Sequence, residues 1–336
     1  KFQSCRAVHR HNGVGACAQG ACIQMLRAEV DVAVPCGLHH LLHLCKLHTR
    51  LADFFLIGDG HVIAGACRIS GVKLGPGVDI IDLGNVGRKG FTYGRSEPSY
   101  GKASVDYLDM ALNMIARGQA KALVTAPINK ASVVSAGFRG FQGHTEYLAA
   151  ASGSSGAAMM FVGRKLRITL VTRHIALGEV PRSISKASIL STIMTTHLYL
   201  KKYFGIRRPR IGVAGLNPHA GESGLIGKEE SRVIAPAVRA ASASIGRVYG
   251  PLVPDVVFYD ALGGKYDAIV ALYHDQALIP FKLLYFKDGV NLTLGLPFVR
   301  TSPDHGTAFD IAGKGIADPS SMEEAIKLAC RLTSKR

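Results

Sequence analysis

The chain has 336 residues, 48% of them hydrophobic, with 38 glycines and a formal charge of +16. So much apolar sequence implies a sizeable core, divided between two α/β lobes because single cores stop growing near ~250–300 residues. Fibrous and disordered classes are excluded. No apolar run reaches the ~18 residues of a membrane span, and the opening KFQSCRAVHRHNG lacks a signal-peptide pattern, so a soluble cytoplasmic protein is expected. Lys and Arg are scattered, with KKYFGIRRPR (201–210) the one dense cluster. That argues against a nucleic-acid binder and for steering of anionic ligands.

Five of the seven cysteines and six of the thirteen histidines fall in the first 50 residues. Their spacings give no paired C-x-x-C knuckles, so no zinc module is read there. From about Leu51 the pattern becomes α/β. ADFFLIGD predicts a strand entering a loop, and SVDYLDMALNMIARGQ a helix stopped at Gly118. KALVTAPI is a short strand broken at Pro127. AAMMFVG and LRITLVTRH predict neighbouring strands. SKASILSTIMTTHLYLKKYFG predicts a long helix, and RIGVAGLNPH another strand and loop. KEESRVIAPAVRAAS is helical, with Pro236 expected to bend it. YDAIVALYH and GVNLTLGL are strands. SSMEEAIKLACRLTSK is a terminal helix whose Ser-x-x-Glu opening predicts a capping box. Strands alternating with helices indicate parallel sheet covered on both faces.

His174, His219 and His274 each stand just beyond the carboxyl end of a predicted strand, the edge at which open α/β sheets bind ligands. Their separations, 45 and 55 residues, are too long for a local finger. Neighbouring strands, or a subunit contact, would let them meet. Three neutral imidazoles with an open position suit a divalent metal, zinc being the simplest; a loop residue with an ordinary hydrogen bond is the competing reading for each. Asp275 is either a supporting acceptor, a ligand or a turn cap. His144 and Thr145, between a Gly turn and a helical run, are either an anion-binding helix start or a plain cap. NPHAGESGLIGKEE (217–230) is either an anion cradle or a flexible connection. The Gly- and Pro-punctuated segment GVNLTLGLPFVRTSPDHGTAFD carries Asn291, Arg300, Asp304 and His305. Arg300 is either a fork for carboxylate or phosphate, or a surface ion pair. Lys282 is a point charge for phosphate, a proton-transfer group or a solvated lysine. No G-x-G-x-x-G follows a strand, and neither a G-x-x-x-x-G-K-[ST] loop nor a G-x-S-x-G elbow is present.

Together TAPINK (125–130), GHTEYLA (143–149), TRHIAL (172–177), GLNPHAGESGLIGKEE (215–230), YHDQALIPFK (273–282) and GVNLTLGLPFVRTSPDHGTAFDIAGKG (289–315) resemble the 4-hydroxythreonine-4-phosphate dehydrogenase family of pyridoxal phosphate biosynthesis. The similarity runs from about Ala52 to the C-terminal end. It implies two α/β/α lobes, isocitrate and isopropylmalate dehydrogenase-like, with the active cleft between them. Lobe 1 would span 1–129 with 297–336 returning to it, and lobe 2 130–296. It implies a homodimer whose sites take residues from both subunits. It implies a divalent metal (zinc, magnesium or cobalt) on His174, His219 and His274. The substrate residues would be His144, Thr145, Lys282, Asn291 and Arg300. NAD or NADP would bind partly through Asp304 and His305. The implied reaction oxidises 4-phosphooxy-threonine and releases carbon dioxide, giving 3-amino-2-oxopropyl phosphate. Lys282, His144 and Asp275 are the candidates for proton transfer.

The alternatives are a dehydrogenase of threonate or erythronate phosphate or of a cyclic dihydrodiol, a metal-assisted phosphate-ester hydrolase, and an inactive relative. The last draws on the opening HRHNGVGACAQGACIQ, where the family normally has a strand and a GDPAGIGPE-like loop. A hypothesis for this departure is that the first ~50 residues are translated out of frame or come from a damaged gene, motivated by the change of composition near Leu51. Reading the coding DNA in its other frames decides it, and failure to recover such a loop sinks it.

Overall fold

In the computed structural model the described residues are 22–26, 53–71, 73–74 and 78–334. The Cys- and His-rich opening, and the expectation that it is aberrant, lie outside the described residues apart from the backbone of 22–26.

Among the described residues eleven strands form one sheet. In chain order they are β1 (Cys22–Leu26), β2 (Asp53–Gly58), β3 (Val78–Asp82), β4 (Ala122–Thr125), β5 (Ala158–Val162), β6 (Arg167–Leu170), β7 (Ile211–Ala214), β8 (Val248–Leu252), β9 (Ala268–Ala271), β10 (Val290–Leu294) and β11 (Val299–Pro303). Their order across the sheet is β3-β2-β1-β4-β11-β10-β5-β6-β9-β7-β8. The first five run parallel. The last four, β6, β9, β7 and β8, also run parallel. Between the two blocks, β10 is antiparallel to β11 and to β5, and β5 to β6. Strand β11 therefore returns from late in the chain to lie beside β4.

The helices are α1 (Gly60–Ser70), α2 (Pro98–Ala116), α3 (Lys130–Ser135), α4 (His144–Ala151), α5 (Val180–Ser183), α6 (Lys186–Lys202), α7 (Ala235–Ile245), α8 (Pro254–Leu262), α9 (His274–Tyr285) and α10 (Ser320–Thr333). The period-2 alternation of strand side chains splits the core between two faces. Leu56, Val124 and Met160 pack with α1, α6 and α10, and the same face continues through Val213 and Val270 under α6 and α7. On the other face Leu123 packs with α2 and α4, and Phe161, Ile168 and Ile269 pack with α8 and α9. No helix among the described residues is long and apolar enough to cross a membrane.

One local expectation is corrected. The Ser-x-x-Glu of the terminal helix forms no capping box. Pro319 is the cap residue, the carboxylate of Asp318 accepts from Ser320 N–H at 3.0 Å, and Glu323 lies within 3.5 Å of Lys327 instead. The reciprocal box is made by Ser185 and Ser188 at the start of α6, where the hydroxyl of residue N3 does the work of a carboxylate. Pro236 lies in a helical run that is unbroken in backbone conformation: a π turn, Glu230–Ile234, passes directly into α7 with right-handed helical φ/ψ at Ile234 and Ala235, and Pro236 follows that turn, where the widened hydrogen-bond pattern accommodates its missing N–H.

Candidate active site

A cavity of about 500 Å³ opens where the loops after β4 and β11 meet β10 and β5, the antiparallel seam between the two parallel blocks. His144, Thr145, Lys282, Asn291, Arg300, Asp304 and His305 all line it, and so does His174. The seam explains part of this. Arg300 lies directly opposite Thr293 and next to Leu123, and Ser302 lies opposite Asn291. Cross-strand partners share a face, so Asn291, Thr293, Arg300 and Ser302 all project toward the same side.

Arg300 is the electrostatic centre of this end. It is 3% exposed. Its Nη1 donates to Thr293 Oγ1 at 3.0 Å and its Nη2 to Thr125 Oγ1 at 2.5 Å, while Nε has no partner. Among the described residues no carboxylate lies within ion-pair distance of it. Burial pushes its pKa down to about 10, so it stays charged at neutral pH. A buried guanidinium on a cavity wall with no ion-pair partner, opposed only by the more distant Glu146 carboxylate, suits an anion, because a poorly compensated buried charge is costly until an anion arrives.

His144 and Thr145 open α4 after Gly143, whose φ of 142° favours glycine. Both side chains are buried, and His144 Nε2 has no partner. Burial first, then the charges of Arg300 and Lys130, holds the His144 imidazole well below the usual range, so it is neutral at pH 7. Asn291 Oδ1 is also buried without a partner. Lys130 is a further cation on the wall that single-residue reading passed over, although it closes the TAPINK motif.

Lys282, from α9, donates to the Asp304 main-chain carbonyl at 3.2 Å and lies 3.7 Å from its carboxylate. Burial raises the Asp304 carboxyl to about 6 against the opposing pull of Lys282. Asp304 N–H donates to Ser321 Oγ at 3.0 Å, and that hydroxyl donates to Gly289 carbonyl at 2.7 Å, which fixes the loop. His305 and Gly306 also border a second, largely apolar cavity of about 530 Å³ with Ala308, Ile311 and Ala317. Asp304 borders only the first.

The histidine end is assembled by strand pairing. Past the ends of β6 and β9, Thr172 N–H and Oγ1–H both donate to the Leu272 carbonyl. His174 and His274 stand two residues beyond that pair, with ring centroids 5.6 Å apart. His274 Nδ1 is 2.6 Å from Asp275 Oδ1. Burial, then Lys130 and His274, lowers the His174 pKa, favouring the neutral ring that a metal requires. Arg173 pairs with Glu146 at 3.0 Å and so ties this turn to the first turn of α4.

His219 does not join them. Its loop follows β7, the neighbour of β9, but residues 219–223 all have positive φ, 43° to 80°, and His219 is exposed. The carboxylate of Glu230 gathers the Leu216 and Asn217 N–H groups, each at 2.8 Å, while Gln276 bridges Leu272 N–H to the Gly215 carbonyl, both at 2.7 Å. Among the described residues no three His, Cys, Asp or Glu side chains are grouped to hold a metal ion. The donor chemistry thus suits a divalent cation with two imidazoles from one chain. Asp275, proposed for proton transfer, is exposed beside His274 and does not line the cavity, whereas His144 and Lys282 do.

The family model for pyridoxal phosphate biosynthetic protein PdxA matches residues 52–329. A 4-hydroxythreonine-4-phosphate dehydrogenase of Desulforapulum autotrophicum is 48% identical over 252 residues, 75% of this chain and 74% of that one. The crystal structure of 4-hydroxythreonine-4-phosphate dehydrogenase from Klebsiella pneumoniae superposes with a TM-score of 0.81 at 33% identity, covering 94% of this chain and 99% of that one. A terephthalate 1,2-cis-dihydrodiol dehydrogenase from Burkholderia xenovorans aligns at a TM-score of 0.63 and 26% identity, covering 93% and 98%.

Proposed function

The chain belongs to the PdxA family of pyridoxal phosphate biosynthesis, a family of dehydrogenases, and from that premise we propose that it oxidises 4-phosphooxy-threonine with NAD or NADP and releases carbon dioxide. The observation that carries this reading is the buried Arg300, which has no ion-pair partner among the described residues, sharing a cavity wall with His174. One end suits an anion and the other an imidazole-bound cation.

In this reading Arg300, Thr145 and the α4 N-terminus hold the anionic group of the substrate, helped by the Lys282 ammonium. Neutral His144 and Asn291 have unpartnered polar atoms for its hydroxyl and amine. His174, His219 and His274 hold a divalent ion (zinc, magnesium or cobalt), with the set completed across a homodimer because one chain brings together two of the three rings. When bound, that ion lowers the pKa of the substrate's secondary hydroxyl. Asp275 fixes the His274 ring. His144 and Lys282 remain the cavity's candidates for the hydroxyl proton. A bound nicotinamide would supply the hydride acceptor for the substrate's secondary alcohol carbon; the 3-oxo acid so formed would carry its ketone β to the carboxylate, which favours decarboxylation to 3-amino-2-oxopropyl phosphate. The largely apolar cavity beside His305 suits a flat base of the dinucleotide.

The test is a panel of phosphorylated hydroxy acids with NAD and NADP, with and without chelator. Reduction of the dinucleotide and release of carbon dioxide are expected with 4-phosphooxy-threonine and are lost on chelation. Turnover that ignores chelation removes the metal from the mechanism, and phosphate release without reduction of the dinucleotide rejects the dehydrogenase reading. The likeness to a dihydrodiol dehydrogenase supports a second reading, favoured only if a cis-dihydrodiol without phosphate is the better substrate.

A further inference from the structure

We propose that Thr125 and Thr293 are positioning residues that fix the Arg300 guanidinium for the substrate's anion without cancelling its charge. This rests on the reading of the cavity as an anion site. Both threonines are fully buried. Thr125 ends β4, Thr293 lies in β10, and Arg300 sits on β11 between them. Each hydroxyl accepts from a different terminal nitrogen of the guanidinium, at 2.5 Å and 3.0 Å. Two anchors on opposite flanking strands fix the plane of a rigid fork.

The choice of side chain carries the rest. A carboxylate at either position would bind the same N–H more strongly, but it would neutralise the cation and compete with the ligand. A hydroxyl satisfies the donor without cancelling the charge. Its β-branched side chain is also stiff on a strand, so the acceptor stays in one place. The Nε–H remains without a protein partner and the charge stays available to whatever fills the cavity.

The experiment compares Thr125→Val, Thr293→Val, the two Thr→Ser variants and Thr125→Asp in the full-length enzyme. Steady-state kinetics with 4-phosphooxy-threonine is read beside calorimetric titration with inorganic phosphate, which needs no turnover. Each Val variant is expected to raise KM and the phosphate Kd by about tenfold, the size of a lost charge-assisted hydrogen bond, with kcat within about threefold of wild type. The Ser variants recover most of the loss, and Thr125→Asp abolishes phosphate binding. Urea unfolding confirms the fold of each variant, and if a Val variant does not fold, the Ser and Asp variants decide. Wild-type KM and Kd in both Val variants, or full phosphate affinity in Thr125→Asp, overturns the inference. If no hydroxy acid is oxidised but phosphate binding follows this pattern, the positioning role stands and the dehydrogenase reading falls. If the wild type oxidises the substrate while phosphate binding ignores both threonines, the reverse holds.

Discussion

The anion end and the imidazole end of the cavity are built on different terms. At the first, the described groups come from one chain and are buried together: three strands hold Arg300, and His144 and Thr145 are buried with it. At the second, strand pairing brings His174 and His274 together, yet His219 is exposed on a loop of positive φ. The difference teaches that a buried charge must be organised by its own fold, whereas half-exposed ligands can wait for another component. The two ends should therefore respond independently to mutation.

The sharpest break is Arg300→Met. It removes the buried cation and should lower kcat/KM by about a thousandfold, as for loss of one partner of a desolvated charged contact, while leaving the metal concentration for half-activation unchanged. Next come His174→Ala and His274→Ala, which should each weaken Co²⁺ binding, followed by visible absorption, by more than about a hundredfold, with phosphate affinity within about threefold of wild type. Cross-talk between these two sets of variants would mean that the ends are one unit.

Asp304→Asn probes the ground between them. The carboxyl is raised by burial from 3.8 to about 6, so the stability of its protonated form is fully present below about pH 3.8 and is lost as pH rises through about 6. In the metal-free chain the Asn variant should therefore gain on wild type between about pH 4 and about pH 7, by on the order of 2–3 kcal/mol, read from urea midpoints at the two pH values. A constant gap would show that the carboxyl is not perturbed. The smallest effect is expected far from both ends. Ser185→Ala opens the capping box of α6 and should cost about 1 kcal/mol with unchanged kinetics.

Much of this was legible in the sequence, for a physical reason. Parallel strands buried on both faces are continuous apolar runs, so the cores of β2, β4, β6, β7 and β9 announced themselves, and with them the positions of the histidines after β6, β7 and β9. Strand β11 did not. Its residues, Val299, Arg300, Thr301, Ser302 and Pro303, are all buried, but three are polar, and polarity alone cannot tell a buried charge from a surface one. Thr125 and Thr293 were hidden likewise, since their role exists only once β4, β10 and β11 lie side by side. His219 shows the converse. It shared its placement after a strand with the other two histidines, but the course of the following loop separated it from them.

Because Arg300 meets a partner 175 positions earlier in the chain, the proposed anion site has a birth date. During synthesis Thr125 leaves the ribosome long before β11 exists, and no shorter nascent chain contains the Thr125–Arg300–Thr293 arrangement. If the cavity binds its substrate as proposed, that ligand can stabilise only molecules in which β11 has returned to lie beside β4.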